Sequence, residues 1–408
     1  MSKNTHFIGQ PIFSQLIKLF NKENILELSR SCNGERYVKS FDGWHHLLTM
    51  LYAVIRRFDS LREIEASMLA EAHKLSHLGI FNIPRRSTLS DANARRPECF
   101  FEQVYRNLYS VNKDILSSDS RHKGSPKWME HLKIMDSTTI SLFSNVLFKG
   151  VGRNPKSGKK KGGLKVHTVI HANEGVPSDI KVTSAATHDH FMLSPGKLSK
   201  DDILSIDRAY IDYEKFAELT DRGVVYVTKM KKNLKYKLHE DIMLQDPDGL
   251  MHVRIQKVTL TKELPDRTII HRARIITYPD IKKKKLISLF TNDFEMDPLE
   301  IIEIYKKRWA IELLFKQLKQ NFPLRYFYGE SKNAIMIQIW VTLIANLLLT
   351  IKQRSLKRSW SFSGMATMVR IMLMYYIDFQ SFFEQPEKGW NLLIESKSES
   401  PPMPTLFG

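Results

Sequence analysis

Residues 133–142 read Lys-Ile-Met-Asp-Ser-Thr-Thr-Ile-Ser-Leu, and the fold is decided here because the spacing of apolar residues changes. Upstream, apolar residues recur at helical spacing, whereas from about residue 130 they alternate with a period of about 2, which is typical of β-strands. The segments that follow are predicted as strands at 163–172, 178–184, 203–207 and 224–228, and as helices at 188–197 and 213–222. The predicted order is therefore β-β-β-α-β-α-β, an α/β arrangement.

The rest of the chain is organised around this α/β core. The preceding segment is helical by its apolar spacing, and a segment rich in lysine and β-branched residues after the core predicts further strands. Helical spacing returns in residues 298–320 and 333–351. The predicted domains are a helical N-terminal domain at 1–125, the first part of the core at 126–229, a β-rich insertion at 230–295, the second part of the core with C-terminal helices at 296–380, and a tail at 381–408.

Composition narrows the possible partners and compartment. Lys and Arg exceed Asp and Glu by 18, and the pI is about 9.6, so nucleic acid is the favoured partner. Two cysteines are too few for a disulfide framework, and no export signal is visible near Met1. The most apolar stretch, 335–351, contains Gln338 and Asn346, which favours a buried helix over a membrane span. We therefore expect a cytoplasmic, nucleoid-associated protein without a membrane partner.

The predicted helix at 298–320 carries four polar residues at an informative spacing. Tyr305, Arg308, Glu312 and Lys319 fall within an arc of about 60° around the helix axis, beside a separate apolar face. A phenol, a guanidinium, a carboxylate and an ammonium thus share one stripe. The alternative interpretation is a solvated surface stripe with one Arg308 to Glu312 ion pair.

Two more acids lie in apolar strands. Asp136 is in the first strand, and Asp207 follows the fourth. A carboxylate in such a setting is costly to bury without a partner, so it should lie at a strand end or bind a cation. Together with Glu312, these acids suit Mg²⁺, and three acids could hold two ions for in-line displacement at phosphorus.

With these residues in place, the sequence resembles the DDE transposases of bacterial insertion sequences, specifically insertion-sequence family four. The resemblance rests on Asp136, Asp207 and the Tyr305-x2-Arg308-x3-Glu312-x6-Lys319 pattern. It implies a ribonuclease-H-like catalytic core interrupted by a β-rich insertion. It also implies two Mg²⁺ ions on the three acids, with Mn²⁺ as a substitute, and contacts from Tyr305, Arg308 and Lys319 to DNA phosphate. The implied partners are double-stranded DNA, as terminal inverted repeats and target DNA, and a second copy of the chain in a synaptic dimer.

The chain departs from the family in its insertion. Family members commonly free the element through a DNA hairpin, assisted by a Trp in the insertion that stacks on a flipped base. Residues 229–295 contain no Trp, which leaves Tyr278 and His252 as alternatives for that contact.

Further DNA contacts are predicted from basic residues. Basic runs at 152–166 and 228–238 are credible phosphate tracks if they adjoin a metal site, although such runs are usually solvated surface. Lys165 and His167 alternate on one face of the second strand beside Asp136, where a structural histidine is the alternative interpretation. A basic helix after Pro84 could contact DNA or simply be solvated. The arginines that flank it are Arg85, Arg86, Arg95 and Arg96.

The favoured function is a DNA transposase that hydrolyses a phosphodiester at the element end, after which the freed 3′-hydroxyl attacks another phosphorus. A ribonuclease-H-like nuclease without strand transfer would use the same three acids. An inactive, transposase-derived DNA-binding regulator would be expected to have lost an acid or part of the stripe, and all of them are present.

Overall fold

The computed structural model describes residues 9–117, 124, 126–142, 152–153, 162–231, 233–245, 252–280 and 284–388. Most of the first basic run, at 154–161, and most of the tail, at 389–408, lie outside the described residues. The chain divides into two compact units. The first combines Met1–Ile115 with Gln317–Gly408, and the second is Leu116–Lys316.

The second unit is built on one large mixed sheet. Its strands are β1 (Leu132–Ser141), β2 (Gly152–Arg153), β3 (Gly162–His171), β4 (Pro177–Ser184), β5 (Ile203–Ile206), β6 (Val225–Lys229), β7 (Lys237–Gln245), β8 (His252–Glu263), β9 (Thr268–Asp280) and β10 (Lys285–Thr291). Their order is β2-β3-β1-β5-β6-β10-β9-β8-β7, with β4 also paired to β3. The α/β class predicted from the sequence is confirmed.

The centre of the sheet changes direction at β1. On one side β1 pairs antiparallel with β3, and β3 and β4 form the predicted hairpin. On the other side β1, β5 and β6 run parallel. Parallel neighbours align their carboxyl ends, so side chains that follow β5 emerge beside those of β1.

Strands β7 to β10 extend this same sheet, whereas their sequence suggested a separate small β-rich unit. The connection is made by β10, which pairs antiparallel with β6. Three buried aromatic residues reinforce it: Phe216 stacks on Tyr226 at 4.0 Å between ring centroids, and Phe290 lies 5.5 Å from Tyr226. The Tyr226 hydroxyl also contacts His271 Nε2 on β9 at 2.6 Å. Burial of these rings explains why the strands join the core sheet.

The helices of the second unit include two, starting after Asp212 and Asp297, whose first turn is capped by that aspartate side chain. The helices of this unit are α8 (Lys113–Ser117), α9 (Trp128–His131), α10 (Tyr213–Asp221), α11 (Pro298–Lys307) and α12 (Trp309–Asn321), of which α8 and α12 cross the boundary between units. Asp297 caps α11 by accepting a hydrogen bond from the Leu299 N–H at 2.7 Å. The helix expected at 188–197 is instead two 3₁₀ turns, Asp189–Met192 and Pro195–Lys197.

The single helix expected at 298–320 is divided at Arg308. This residue keeps helical dihedral angles (φ −52°, ψ −29°), and its N–H donates to the Tyr305 carbonyl at 3.1 Å. That bond spans three residues rather than four, so the chain forms one tighter turn of 3₁₀ type between α11 and α12. The side chains of Arg308 and Glu312 nevertheless remain neighbours.

The first unit is helical and is drawn from both ends of the described chain. Its helices are α1 (Ile12–Ile17), α2 (Lys22–Ser31), α3 (Gly43–Arg56), α4 (Leu61–Ala70), α5 (Ala72–Leu75), α6 (Arg86–Arg95), α7 (Glu98–Val111), α13 (Lys332–Arg354), α14 (Phe362–Met372) and α15 (Phe379–Glu384). Helix α13 is the centre, in contact with α3, α6, α7 and α14.

Helix α13 is long and apolar enough to cross a membrane, with a mean hydropathy of 2.1, and among the described residues no other helix meets that test. Its apolar window is entirely buried inside the first unit. The polar residues that argued for a buried helix have internal partners: the Gln338 side-chain amide donates to the carbonyls of Pro323 and Tyr326 at 2.6 and 2.7 Å. The preference for a core helix is confirmed.

Candidate active site

Asp136 lies within β1 and is largely buried, with its side chain 18% exposed. One carboxylate oxygen accepts a hydrogen bond from the Ser137 N–H at 2.7 Å. The other accepts from Arg308 Nη1 at 2.8 Å. Both oxygens of this central acid are therefore held in fixed positions.

Asp207 lies beside Asp136 because of the parallel pairing of β1 and β5. Met135 is aligned with Ile206, so the next residue on each strand is an aspartate. Asp207 caps the short 3₁₀ turn that follows β5, and its Oδ1 accepts from the Ala209 N–H at 2.9 Å. The two predicted acids thus occupy the same level of adjacent strands.

Arg308 links the acid of the sheet to the acid of the helix. Its Nη1 donates to Asp136 and its Nη2 donates to Glu312 Oε1 at 2.5 Å. The guanidinium also lies 5.7 Å from the centroid of the Tyr305 ring. Three of the four residues of the predicted stripe therefore meet at the Arg308 guanidinium, which also binds Asp136 of the sheet, and a solvated surface stripe would not produce that contact.

The electrostatics at Asp136 favour a cation. The pKa of the Asp136 carboxyl is raised to about 6, mainly by burial and also by the nearby charges of Asp207 and Glu312, while Ser137 and Arg308 oppose the rise. Burial lowers the pKa of Arg308, but Tyr305, Asp136 and Glu312 outweigh it, and the net shift is upward. The guanidinium is thus the positive charge that balances the acids.

A second carboxylate network, not anticipated from the sequence, supports β1 next to Asp136. Asp189 accepts a hydrogen bond from Ser137 Oγ at 2.8 Å and forms an ion pair with Lys165 at 3.3 Å. Lys165 also donates to the Thr187 carbonyl at 2.9 Å. Asp189 lies between His188 and His190 in the sequence, and its role depends on contacts that are distant in sequence.

His167 is buried, with both ring nitrogens occupied. Nδ1 lies 3.3 Å from the Tyr210 hydroxyl, and Nε2 lies 2.9 Å from Thr183 Oγ1. Burial lowers the pKa of His167 to about 4, so the ring is neutral near pH 7. Lys165 is also mostly buried, at 15% exposure. Both residues are therefore packed inside the second unit rather than on an open surface.

In the folded chain His167 stays neutral down to about pH 4, whereas in the unfolded chain it has the ordinary pKa of about 6.5. As the pH falls below 6.5, the unfolded chain therefore binds a proton that the folded chain does not. Stability is therefore lost on acidification, by about 2 kcal/mol between pH 7 and pH 5. We expect His167→Gln to flatten the pH dependence of urea unfolding by this amount. The exposed His131→Gln serves as the control. An undiminished slope in His167→Gln would contradict the assignment.

The remaining predicted residues belong to the first unit. Lys319 is exposed in the last turn of α12, in the part of that helix belonging to the first unit. In the first unit, Arg85, Arg86 and Arg95 are exposed at the ends of α6. Arg96 is 4% exposed and donates to the carbonyls of Gly34 and Phe41 at 3.0 and 2.8 Å. Its guanidinium serves an internal contact.

The two alternatives for a stacking residue in the insertion differ in exposure. Tyr278 is buried at 5% exposure, and burial raises its pKa to about 12. His252 is exposed at the start of β8. Of the two, only the histidine is accessible to a ligand in this conformation.

Sequence comparison assigns the chain to a family. The profile of the family described as transposase DDE domain matches residues 127–348, more than half of the 408 residues. A second profile, a domain of unknown function (DUF4372), matches residues 8–81.

Curated relatives agree with the first profile. A protein of Sinorhizobium fredii, named as a provisional transposase, is 28% identical over 66% of this chain and 72% of its own length. The transposase assigned to insertion sequence element IS5377 of Geobacillus stearothermophilus is 25% identical over 58% of this chain and 60% of its own. The transposase assigned to element IS4SA of Synechocystis is 25% identical over 64% of this chain and 70% of its own.

Among solved structures, the cryo-EM structure of the piggyBac transposase synaptic complex with hairpin DNA aligns with 96% of this chain and 86% of its own. Its sequence identity is 9% and its TM-score 0.45, a level that supports no conclusion. The profile match over residues 127–348 is sufficient without it, and the chain belongs to the DDE transposases of bacterial insertion sequences, enzymes that cleave DNA and transfer its strands.

Proposed function

We propose that Asp136, Asp207 and Glu312 are the catalytic acids of this transposase. The observation that carries the proposal is the Arg308 fork, which joins Asp136 of the sheet to Glu312 of the helix. Asp207 lies at the level of Asp136 on the neighbouring strand. The proposed reaction is hydrolysis of a phosphodiester at the element end followed by attack of the freed 3′-hydroxyl on another phosphorus.

The strand order supports a ribonuclease-H-like core. Three antiparallel strands (β4-β3-β1) are followed by two that run parallel to β1 (β5 and β6), with an acid on β1 and another after β5. The third acid comes from a helix that follows the β-rich segment. This arrangement and the spacing from Tyr305 to Lys319 favour insertion-sequence family four.

The acids fit a divalent cation by their chemistry. Among the described residues, no group of three or more His, Cys, Asp or Glu side chains is gathered closely enough to hold a metal ion. The guanidinium of Arg308 instead takes up oxygens of Asp136 and Glu312. These are the hard oxygen ligands that Mg²⁺ prefers, and burial of Asp136, which raises its pKa, supports the proposal because a nearby cation would favour its charged form. Two Mg²⁺ ions, with Mn²⁺ as a substitute, would activate water and offset charge at phosphorus.

Other residues act on the DNA and on the acids. With Asp136 and Glu312 on metal ions, the Arg308 guanidinium would be free to hold two phosphate oxygens, and Tyr305 packs against it. Lys319 supplies a point charge to phosphate. Lys165 and His167 contribute by supporting β1 through Asp189 and Tyr210.

The wider assembly follows from the same proposal. The predicted N-terminal domain (1–125) would bind the terminal repeats through the exposed Arg85, Arg86 and Arg95, while Arg96 holds the fold. The boundaries at 229, 295 and 380 remain the proposed limits of the catalytic parts and the insertion. We propose a homodimer that pairs two element ends in the cytoplasm, on the nucleoid.

The proposal predicts which divalent metal ions support cleavage. Cleavage of element-end DNA should require Mg²⁺ or Mn²⁺, whereas Ca²⁺ should permit binding with little cleavage because its longer, looser coordination suits in-line displacement poorly. Zn²⁺ should be dispensable. The measurement is single-turnover cleavage after chelation and addition of each metal. Activity that is lost only when zinc is removed would contradict the proposal.

A paired-end strand-transfer assay tests the function itself. A substrate carrying the sequences that flank the protein's own reading frame is incubated with Mg²⁺ and a supercoiled target. A transposase joins the cleaved ends to the target, whereas a nuclease produces cleaved ends alone. An inactive regulator binds the ends and leaves them intact.

A further inference from the structure

A cleft of about 470 Å³ lies in the first unit beside α6, and no residue assigned to catalysis lines it. One wall is the connection between α2 and α3, residues 33–41. The other is the exposed side of α6, with Thr88, Asp91 and Arg95. Helix α6 buries only Leu89 and Asn93, so most of its side chains face solvent. Such a helix gains little from packing on its exposed side, which leaves that side free for a ligand.

Arg96 fixes the two walls to each other. Its hydrogen bonds to the carbonyls of Gly34 and Phe41 connect the end of α6 to both ends of the 33–41 connection. Gly34 is required there, because a Cβ would lie 2.5 Å from Ser29 Oγ. Glu35 points inward, where it accepts from the Gly43 N–H at 2.7 Å and from the Ser29 hydroxyl. The cleft is therefore formed without a ligand. The Glu35 carboxylate points into the unit and adds no negative charge to the cleft surface.

Tyr37 projects from this wall in an unusual conformation. Its φ is +61°, a left-handed value that a bulky residue seldom adopts, and its side chain is 84% exposed. The Arg36 guanidinium lies 4.9 Å from the ring centroid and donates to the Tyr37 hydroxyl at 3.1 Å. No burial of the ring compensates for the backbone strain, so the fold holds an aromatic face outward. Strain of this kind is concentrated at ligand sites.

The charge around Tyr37 is positive. Arg36, Lys39 and Arg95 are exposed in the cleft lining, whereas the single exposed acid, Asp91, is paired with Arg95 through a 2.7 Å hydrogen bond. The buried Nη1 of Arg96 has no hydrogen-bond acceptor in the part of the chain that is described. Cations flanking an exposed aromatic face are the combination that binds phosphate backbone and base together.

We propose that this cleft is the DNA-recognition site of the helical unit, a role that rests on the transposase function proposed above. The polar face of α6 contacts base edges, Arg36 and Lys39 bind phosphates, and the exposed face of Tyr37 stacks on one base displaced from the duplex. This gives a role to part of the segment that matches only a domain of unknown function.

The test uses the full chain without cleavage, in Ca²⁺. Binding is measured against a duplex carrying the terminal sequence beside the protein's own reading frame and against a scrambled duplex. Tyr37→Ala should weaken binding to the terminal duplex by roughly 5- to 150-fold, as expected for loss of one stacked base, and Tyr37→Phe should bind like wild type. Arg36→Ala and Lys39→Ala should each reduce the salt slope by about 1. Tyr375→Ala and Arg62→Ala, both exposed in the same unit outside the cleft lining, are the controls and should bind like wild type.

A second variant distinguishes loss of the DNA contact from misfolding of the chain. Glycine tolerates φ of +61°, so Tyr37→Gly should melt at or above the wild-type temperature yet bind as weakly as Tyr37→Ala. If both variants bind and footprint the terminal duplex like wild type, the cleft is not the recognition site, while wild-type strand transfer would leave the transposase function intact. Stacking and phosphate contacts do not read sequence, so the preference for the terminal duplex rests on α6: Thr88→Ala should lower that preference, and an unchanged preference would overturn the recognition role. A wild-type protein that neither distinguishes the duplexes nor cleaves them would overturn both.

Discussion

Asp136→Asn, Asp207→Asn and Glu312→Gln should each reduce single-turnover cleavage of element-end DNA by at least roughly 10³-fold. Each substitution keeps the size of the side chain but removes the negative charge that we propose holds the metal. Affinity for end DNA should be unchanged or slightly higher, because phosphate contacts supply most of the binding and an opposing charge is lost.

Two other acids of the second unit provide matched controls for this experiment. Glu303→Gln changes an exposed acid of α11, and Asp179→Asn changes one on β4 that pairs with Lys197. Both variants should cleave like wild type. Cleavage near the wild-type rate in any of the three acid variants would remove that residue from the proposed site.

Arg308→Ala should cost roughly 2 to 4 kcal/mol of transition-state stabilisation, as for loss of a preorganised donor. The fork that holds Asp136 and Glu312 is lost together with its contact to phosphate. Arg308→Lys should recover little, because a single ammonium cannot hold both partners. Lys319→Ala should cost less than Arg308→Ala, since it supplies only a point charge.

The pH profile separates this role from simple loss of folding. Arg308 lowers the pKa of Asp136, which burial holds at about 6, so removal of the arginine should move the acid limb of kcat/KM to higher pH. Lys316→Ala, an exposed cation of the same helix, is the control and should leave both rate and profile unchanged. Full activity in Arg308→Ala would show that the stripe is only a helix face.

The local parts of the site could be predicted from sequence because they depend on short-range geometry. The i,i+4 spacing of Arg308 and Glu312 places them together on any helix, and the change of period identifies β1 and its acid. The contact between Arg308 and Asp136 joins residues 172 positions apart, and no local pattern encodes it.

Burial of individual polar residues was harder to predict. Arg95 and Arg96 are adjacent in sequence, yet one is exposed and the other is enclosed by the 33–41 connection. Asp189 was missed for a related reason, since its partners Ser137 and Lys165 come from two other segments. The pairing of β10 with β6 is likewise non-local: further strands were predicted for 230–295, but neither β10 itself nor the sheet that it joins.

The first unit is built from two distant parts of the chain, which affects how it can fold during synthesis. Helices α3 and α7 pack on α13, which begins more than 200 residues after α7 ends. At bacterial translation rates the early helices wait roughly 10 to 40 s for that partner, while the intervening unit, Leu116–Lys316, can fold first. A ribosome that stops before Lys332 therefore releases helices whose apolar faces have lost their central partner. Incomplete products would be substrates for proteases, so the cell would accumulate only chains that carry the cleft and the acids together.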